Sequence, residues 1–212
     1  MSYMCAECNH LGCKKGDLTK TMTCCPSKDE AIQAEAAKLY QEPENYNIAH
    51  TAAKLEAQGY GRLCRMEEIM HFAKNAGFHK IGLVFCFGLQ KEAREVSRIL
   101  THNGFEVVSV ICKNGAVPKS SIGMTDADTL SGCADEVMCN PIGQALLMNE
   151  QKTEFNILLG LCVGHDTLAL KYLEAPVTVL AVKDRVTGHN PLAAIYMAQG
   201  YYRKRFYPEN KG

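Results

Sequence analysis

From residue 79 onward, short apolar runs alternate with segments whose apolar residues recur at helical spacing. The runs predict four strands, at residues 80–86, 105–112, 155–162 and 177–183. Helices are predicted between and after them, at about residues 90–103, 141–151, 165–173 and 191–202. Strands that are apolar on both faces and alternate with helices are typical of a parallel sheet covered on both sides. Because such crossovers are right-handed, we expect an α/β fold with a doubly wound, mostly parallel, Rossmann-like or flavodoxin-like sheet.

Two shorter segments precede this sheet. Residues 1–28 are polar and rich in cysteine, and they lack lasting periodicity, so bound metal is the expected source of their order. Residues 29–78 are predicted to be helical, with Asp29 or Ser27 as an N-cap and Gly77 as a helix-ending glycine. The predicted organisation is a metal-binding segment at 1–28, a helical segment packed on the core at 29–78, and an α/β domain at 79–212.

Cysteine is the unusual part of the composition, with 11 in 212 residues and five of them within the first 25. The chain begins without a secretory leader pattern, and its longest uncharged apolar runs are about half of the roughly 20 residues that a membrane helix needs. We therefore expect a cytoplasmic protein, in which clustered cysteines indicate metal or redox sites. The formal net charge is zero, which argues against nucleic acid or a membrane surface as a partner.

The sharpest motif is a run of cysteines with the spacing Cys-x2-Cys-x4-Cys-x11-Cys-Pro, formed by Cys5, Cys8, Cys13 and Cys25. Its first pair is a chelating turn, in which two thiolates meet one metal. The unequal spacing and the Cys-Pro ending favour an iron–sulfur cluster of the [4Fe-4S] type, with zinc as the alternative. Cys24 could replace Cys25, and His10 could serve as a ligand in a zinc site. The simpler interpretation is that these cysteines are free thiols, but five cysteines within 25 residues are more than that interpretation leads one to expect.

Four further cysteines occupy equivalent positions in the predicted sheet. Three end the first three strands and one precedes an Asn-Pro helix start; they are Cys86, Cys112, Cys162 and Cys139. Because the carboxyl ends of parallel strands share one edge, where ligands bind, we expect these thiols to converge. They could hold a second iron–sulfur cluster as cofactor-binding residues. Alternatively they are redox thiols or nucleophiles for sulfur transfer, with Cys162, His165 and His189 as the candidate catalytic residues.

Two common nucleotide-binding motifs are missing from the sequence. The first predicted strand is followed by Cys-Phe-Gly-Leu-Gln at residues 86–90 rather than by GxGxxG, and GxxxxGK[ST] does not occur. Classical dinucleotide binding and a P-loop are therefore not expected. Cys64 and Cys133 lie outside both cysteine groups and are expected to be ordinary residues.

Several segments carry a resemblance that extends over nearly the whole chain. Besides the N-terminal cysteine motif they are VFCFGL at 84–89, MCNP at 138–141, LCVGHD at 161–166 and KDRVTGHNP at 183–191. On these segments the chain resembles an uncharacterised, cysteine-rich family of bacterial and archaeal proteins. The resemblance implies a metal at Cys5, Cys8, Cys13 and Cys25, and it brings no established activity.

Three functions fit these patterns. The first is an iron–sulfur enzyme that performs redox or sulfur chemistry on a small molecule and uses an electron donor. The second is a carrier of metal or cluster, or a redox sensor, without turnover. The third is a zinc-stapled domain that binds a small molecule. A tyrosine- and arginine-rich stretch at residues 201–207 could pack across the domain or against a second subunit, and the latter would give a homo-oligomer.

Overall fold

A computed structural model describes residues 2–209 and divides the chain into two compact units, one ending at Tyr60 and the other beginning at Gly61. The first unit contains three helices: α1 (Gly12–Lys15), α2 (Glu30–Leu39) and α3 (Pro43–Gly59). A short 3-10 turn precedes α1 at Cys5–Glu7, and two more lie between α1 and α2 at Leu18–Lys20 and Pro26–Lys28. The predicted cap at Asp29 is confirmed, since its Oδ1 accepts a hydrogen bond from the Ile32 N–H at 3.2 Å.

Little of the first unit is buried. Within residues 2–60 the buried residues are Gly12, Thr51 and Gly59, none of which has a large apolar side chain. The apolar residues of α2 are exposed, with 61% of Ile32 and 58% of Tyr40 accessible. This part of the chain therefore lacks the apolar core that usually stabilises a small unit.

The second unit is built on a sheet of four parallel strands in the spatial order β2-β1-β3-β4. The strands are β1 (Lys80–Phe85), β2 (Glu106–Ile111), β3 (Phe155–Leu161) and β4 (Val177–Val182). The predicted α/β fold with a parallel, Rossmann-like sheet is confirmed. The chain reverses its direction of winding between β1 and β3, so that the crevice at which such folds bind ligands opens at their carboxyl ends.

Helices flank this sheet and follow it. They are α4 (Arg65–Ala76), α5 (Gln90–His102), α6 (Pro141–Glu150), α7 (His165–Tyr172), α8 (Leu192–Tyr196) and α9 (Arg203–Phe206). The boundary after Tyr60 places α4 in the same unit as the sheet. In the part of the chain that the structure describes, no helix combines the length and the apolar composition needed to cross a bilayer.

The two faces of the sheet are covered by different helices. On one face, Ile81 and Leu83 of β1 pack in a cluster with residues of α4 and α5, including Leu100. On the other face, Val84 and Leu158 pack with residues of α6 and α7. Successive residues of β1 alternate between the clusters because side chains in a strand point to opposite faces. All seven residues of β3 are buried, which explains the continuous apolar run in its sequence.

A buried amide joins the ends of two neighbouring strands. Gln144 of α6 is fully buried, and its Nε2 donates to the carbonyl oxygens of Phe85 at 3.1 Å and Val110 at 2.7 Å. These carbonyls lie at the ends of β1 and β2, just before Cys86 and Cys112. Gln144 therefore fixes the spacing of the strand ends from which those two cysteines project.

The single helix predicted over residues 191–202 is wrong. The structure has α8 and α9 instead, separated by a turn that includes Gly200. The Tyr202 N–H donates to the Met197 carbonyl at 3.1 Å, five residues back, where a continuous helix would use the residue four back. Glycine has a low helix propensity, so an apolar pattern alone does not carry the helix through this position.

Candidate functional site

Four cysteines meet at the carboxyl edge of the sheet. Cys86, Cys112 and Cys162 directly follow β1, β2 and β3. The Cys139 Sγ lies 3.7 Å from the Cys112 Sγ. The Cys86 side chain is hydrogen-bonded to Cys112, and Cys162 is bound by Arg185, whose charge also acts on Cys86 and Cys139. The structure thus brings together the four cysteines that the strand positions predicted to converge; we refer to them as the thiol cluster.

The long connection between β2 and α6 returns on itself to deliver Cys139. At its base, the Asn140 N–H donates to the Cys112 carbonyl at 2.7 Å, and the Lys113 Nζ donates to the Val137 carbonyl. Further out, Lys119 and Glu136 form an ion pair at 2.5 Å. The Lys119 ammonium, as a hydrogen-bond donor, lowers the pKa of Glu136 to about 2, so both members of this ion pair are charged at neutral pH.

Three of the thiols form a hydrogen-bonded series from buried to accessible. Cys86 and Cys112 are buried, whereas Cys139 is partly exposed. The hydrogen bond with Cys112 and burial raise the pKa of Cys86, and the hydrogen bond with Cys139 and burial raise that of Cys112. The Cys112 S–H and the charge of Lys113 lower the pKa of Cys139 to about 7. The series therefore keeps two thiols protonated and makes Cys139 the most readily ionised of the three.

Basic side chains surround the thiol cluster. The Arg185 Nη2 donates to the Cys162 Sγ at 3.2 Å. The positive charge of Lys183 acts on Cys86, and that of Lys113 acts on Cys139. His165, at the start of α7, is half-buried, and burial is the main cause of its lowered pKa. A thiolate formed here is thus stabilised by nearby cations.

A bulge in β3 shapes the floor of the crevice. The β3–β4 register shifts on both sides of Leu159, and the second shift leaves Gly160 without a partner in β4. Gly160 has a φ of +68°. A Cβ at Gly160 would lie 2.1 Å from the Leu89 Cδ1. Only glycine combines this backbone conformation with so close an approach. The bulge sets the path of the chain into Cys162, two residues later.

The family description "Protein of unknown function (DUF1847)" matches residues 24–180 of the chain. The chain belongs to the DUF1847 family. It is also 41% identical over 201 residues to the uncharacterized protein MJ0455 of Methanocaldococcus jannaschii, an alignment that covers 95% of this chain and 96% of that protein. No solved structure matches the chain.

The DUF1847 match includes all four members of the thiol cluster, since Cys86 is the first of them and Cys162 the last. It begins at Cys24 and leaves Cys5, Cys8 and Cys13 outside. The predicted membership of an uncharacterised family is confirmed. Of the N-terminal cysteine motif that contributed to that prediction, the family match covers only Cys25.

The N-terminal cysteines of this DUF1847 protein lie in a chain of short turns. Cys5 begins a 3-10 turn that the Cys8 N–H closes by donating to the Cys5 carbonyl at 3.1 Å. Cys13 lies in α1, and the Ser27 backbone N–H lowers the pKa of Cys25. Among residues 2–209, no three His, Cys, Asp or Glu side chains are placed to hold one metal ion. A metal centre at these cysteines therefore stays a prediction.

The two predicted catalytic histidines occupy different environments. His165 interacts electrostatically with Cys86, Lys113 and Arg185, so it belongs to the thiol cluster's surroundings. His189 has a φ of +67°, and its Nδ1 accepts the Asp184 N–H at 3.1 Å. This bond closes the turn that follows β4. The observed role of His189 is thus to shape the turn that carries Arg185, and a catalytic role for either histidine stays a prediction.

Two residues important to the geometry were missed by sequence reasoning. Lys183 is the last residue of the predicted fourth strand, so its position at the common sheet edge was a usable signal. Gln144 carried no signal, because a glutamine in an amphipathic helix is ordinarily solvent-exposed. Cys64 and Cys133, which were expected to be ordinary residues, are both exposed.

Proposed function

We propose that the protein is a two-cysteine redox protein, in which Cys139 attacks the substrate and Cys112 resolves the intermediate. The 3.7 Å between their sulfur atoms carries this proposal. It is an approach from which a disulfide of about 2.05 Å can form by a small movement. Cys139 is partly exposed whereas Cys112 is 1% exposed, so of these two cysteines Cys139 is the one that an external sulfur atom can reach.

The reaction is thiol–disulfide exchange with a small-molecule disulfide as the oxidant. The Cys139 thiolate attacks one sulfur of the substrate, a mixed disulfide forms, and the other sulfur leaves as a thiolate. Cys112 then passes its proton to a leaving thiolate, attacks the Cys139 sulfur, and releases the second substrate thiol. Two protein thiols are oxidised to one disulfide, and one substrate disulfide is reduced to two thiols. The remaining candidates, Cys162 with Arg185 and Cys86 beside Cys112, flank this pair.

The test is to equilibrate the reduced protein with a series of glutathione redox buffers, block the remaining thiols, and map disulfides by mass spectrometry. We expect a Cys112–Cys139 disulfide to form first, while Cys64 and Cys133 stay free or carry glutathione. Cys112→Ser should leave Cys139 as a mixed disulfide with glutathione, since the resolving thiol is gone. Cys133→Ser is the matched control and should behave as the wild type. A Cys112–Cys139 pair that stays reduced while exposed cysteines oxidise would contradict the proposal.

Metal binding at Cys5, Cys8, Cys13 and Cys25 is the second function that we propose. It is supported by the first unit, which buries no large apolar side chain within residues 2–60 and so requires another source of stability. The turn at Cys5–Glu7 provides the local backbone for two thiolates on one ion. The metal would be an iron–sulfur cluster or zinc, and its chemistry would be structural or electron transfer.

Metal analysis separates these alternatives. After anaerobic purification, a bound cluster is expected to give a brown protein that contains iron and acid-labile sulfide, whereas zinc gives a colourless one. Cys5→Ser with Cys8→Ser should remove the N-terminal metal and lower the unfolding temperature, and Cys133→Ser should retain both. Metal-free protein with an unchanged unfolding temperature would rule out this centre.

The predicted second iron–sulfur cluster at Cys86, Cys112, Cys139 and Cys162 fits the observed spacing of the sulfur atoms less well than a dithiol does. Each cysteine of a cubane cluster binds a different iron, so the Cys112 and Cys139 sulfurs would have to separate. Their 3.7 Å spacing is close to the edge of a tetrahedral site around one ion, about 3.8 Å for a metal–sulfur distance of about 2.3 Å. Loss of crevice metal in Cys162→Ser, with the N-terminal metal kept, would favour a metal over the dithiol.

The cellular setting follows from the same chemistry. All eleven cysteines are free thiols, and thiols persist in a reducing compartment. We therefore propose a cytoplasmic location, where a reduced Cys112–Cys139 pair can be regenerated by the thiol pool. The proposed partners are a small-molecule disulfide and a thiol electron donor.

A further inference from the structure

Two cations at the thiol cluster lack an acidic partner. Lys183 and Arg185 follow β4 at the carboxyl edge of the sheet. Within residues 2–209, the ion pairs that form at 4.0 Å or less involve other lysines and arginines. Arg185 is exposed and Lys183 is partly exposed, and positive charges at the ligand-binding edge of a sheet attract an anionic group of a ligand.

Both cations lie beside cysteines of the thiol cluster. The Arg185 Nη2 lies 3.2 Å from the Cys162 Sγ. The Lys183 Nζ would lie 3.5 Å from a Cβ at Gly88, and the Cys86 Sγ would lie 3.9 Å from the same point. Arg185 is therefore placed at the Cys162 end of the cluster and Lys183 near Cys86.

The nearby carboxylates are engaged in their own turns. The Asp184 Oδ1 accepts the N–H groups of Val186 at 2.9 Å and Thr187 at 3.0 Å. The Asp166 Oδ1 accepts the Thr167 N–H at 2.8 Å. These bonds orient the carboxylates toward backbone donors, and neither carboxylate is among the ion pairs found within residues 2–209.

Gly88 brings Lys183 and Cys86 to a position that solvent reaches. A Cβ at Gly88 would contact both the Lys183 Nζ and the Cys86 Sγ, so these two groups lie close to the same point. Phe87 and Gly88 are themselves exposed. A group of a ligand that contacts Lys183 here is therefore also beside a cysteine of the thiol cluster.

We infer that the substrate carries an anionic group, such as a carboxylate, beside its reactive sulfur, and that Lys183 and Arg185 bind this group. The inference rests on the proposed two-cysteine chemistry and names the class of substrate for it. A guanidinium is well suited to a carboxylate because it offers two parallel N–H donors. Binding of the anion by these cations would bring the electrophilic sulfur of the substrate to the thiol cluster, where Cys139 attacks it.

Competitive alkylation tests the charge preference at each cysteine. The reduced full-length protein is treated at one pH with iodoacetate, which is anionic, and iodoacetamide, which is neutral, and the two products are counted at each cysteine by mass spectrometry. Both reagents react with the same thiolate, so the fraction of each cysteine that is ionised cancels in the ratio of the two products. The ratio therefore reports how strongly the surroundings of that cysteine favour the anionic reagent over the neutral one. We expect the iodoacetate share at Cys139 and Cys162 to exceed that at Cys133 by about three- to tenfold at low salt.

Variants assign the preference to the two cations. Arg185→Gln and Lys183→Gln should each lower the ratio at Cys139 and Cys162 toward that of Cys133, and Lys171→Gln, on the exposed surface of α7, should not. Equal ratios at the cluster cysteines and Cys133 in the wild type would overturn the inference but leave the dithiol chemistry intact. Failure of both reagents to modify Cys139 would show that Cys139 is not an accessible nucleophile, and this result would contradict the proposed two-cysteine chemistry as well.

Discussion

Replacing Gly160 with alanine is expected to destabilise the protein by about 2–4 kcal/mol, because two costs add. The φ of +68° is unfavourable for any residue with a Cβ. The new methyl would also lie 2.1 Å from the Leu89 Cδ1, and Leu89 is only 5% exposed and packed in the core. Urea unfolding of the two proteins measures the free-energy difference. Alkylation of Cys162 should change as well, since the bulge directs the chain into that residue.

Gly88→Ala is the matched control for this substitution. Its added methyl meets nothing nearer than the Lys183 Nζ at 3.5 Å, and we expect a change within about 0.5 kcal/mol. A double-mutant cycle with Leu89→Ala separates the two contributions. Removing the Leu89 side chain relieves the clash, so Gly160→Ala should destabilise the Leu89→Ala protein less, and the destabilisation that remains comes from the positive φ. An equal effect of Gly160→Ala and Gly88→Ala would show that the bulge does not require glycine.

The sheet and the places of three of its cysteines were predictable because they follow from the spacing of apolar residues along the sequence. Strands such as β3 are apolar on both faces, which identifies a parallel sheet from sequence. Once the strands are parallel, residues that directly follow them share an edge, and this placed Cys86, Cys112 and Cys162 together. The reasoning needs no side-chain detail, only strand ends accurate to a residue or two.

The contact between Cys139 and Cys112 could not be derived in the same way. It depends on how the connection at residues 113–139 closes, through the Asn140 N–H on the Cys112 carbonyl and the Lys113 Nζ on the Val137 carbonyl. Such tertiary hydrogen bonds have no periodic signature. The bulge at Gly160 and the amide of Gln144 are likewise set by close packing, which spacing along the chain does not encode.

The alkylation rate of Cys139 is expected to follow an ionisation with a midpoint near pH 7, because the pKa of this thiol is lowered to about 7. An ordinary cysteine has a pKa of about 8.5, so at pH 7 about half of Cys139 is thiolate against about 3% of an ordinary thiol. A less basic thiolate is also a weaker nucleophile, by about fivefold over this difference. At pH 7 we therefore expect Cys139 to react only about three times faster than an ordinary cysteine. The pH midpoint, measured with iodoacetamide and mass spectrometry, is therefore the more decisive quantity.

Substitutions at Cys112 test the cause of this low midpoint. The Cys112 S–H is the largest contribution, Lys113 adds to it, and burial and the charges of Cys86 and Cys162 oppose it. Cys112→Ala removes the donor and should move the midpoint upward, toward about 8.5. Cys112→Ser keeps an O–H donor and should hold the midpoint lower than Cys112→Ala does. Since both variants lose the resolving thiol, the difference between them reports the hydrogen bond alone. An unshifted midpoint in Cys112→Ala would mean that Cys112 does not activate Cys139, and the division into attacking and resolving thiols would lose its electrostatic basis.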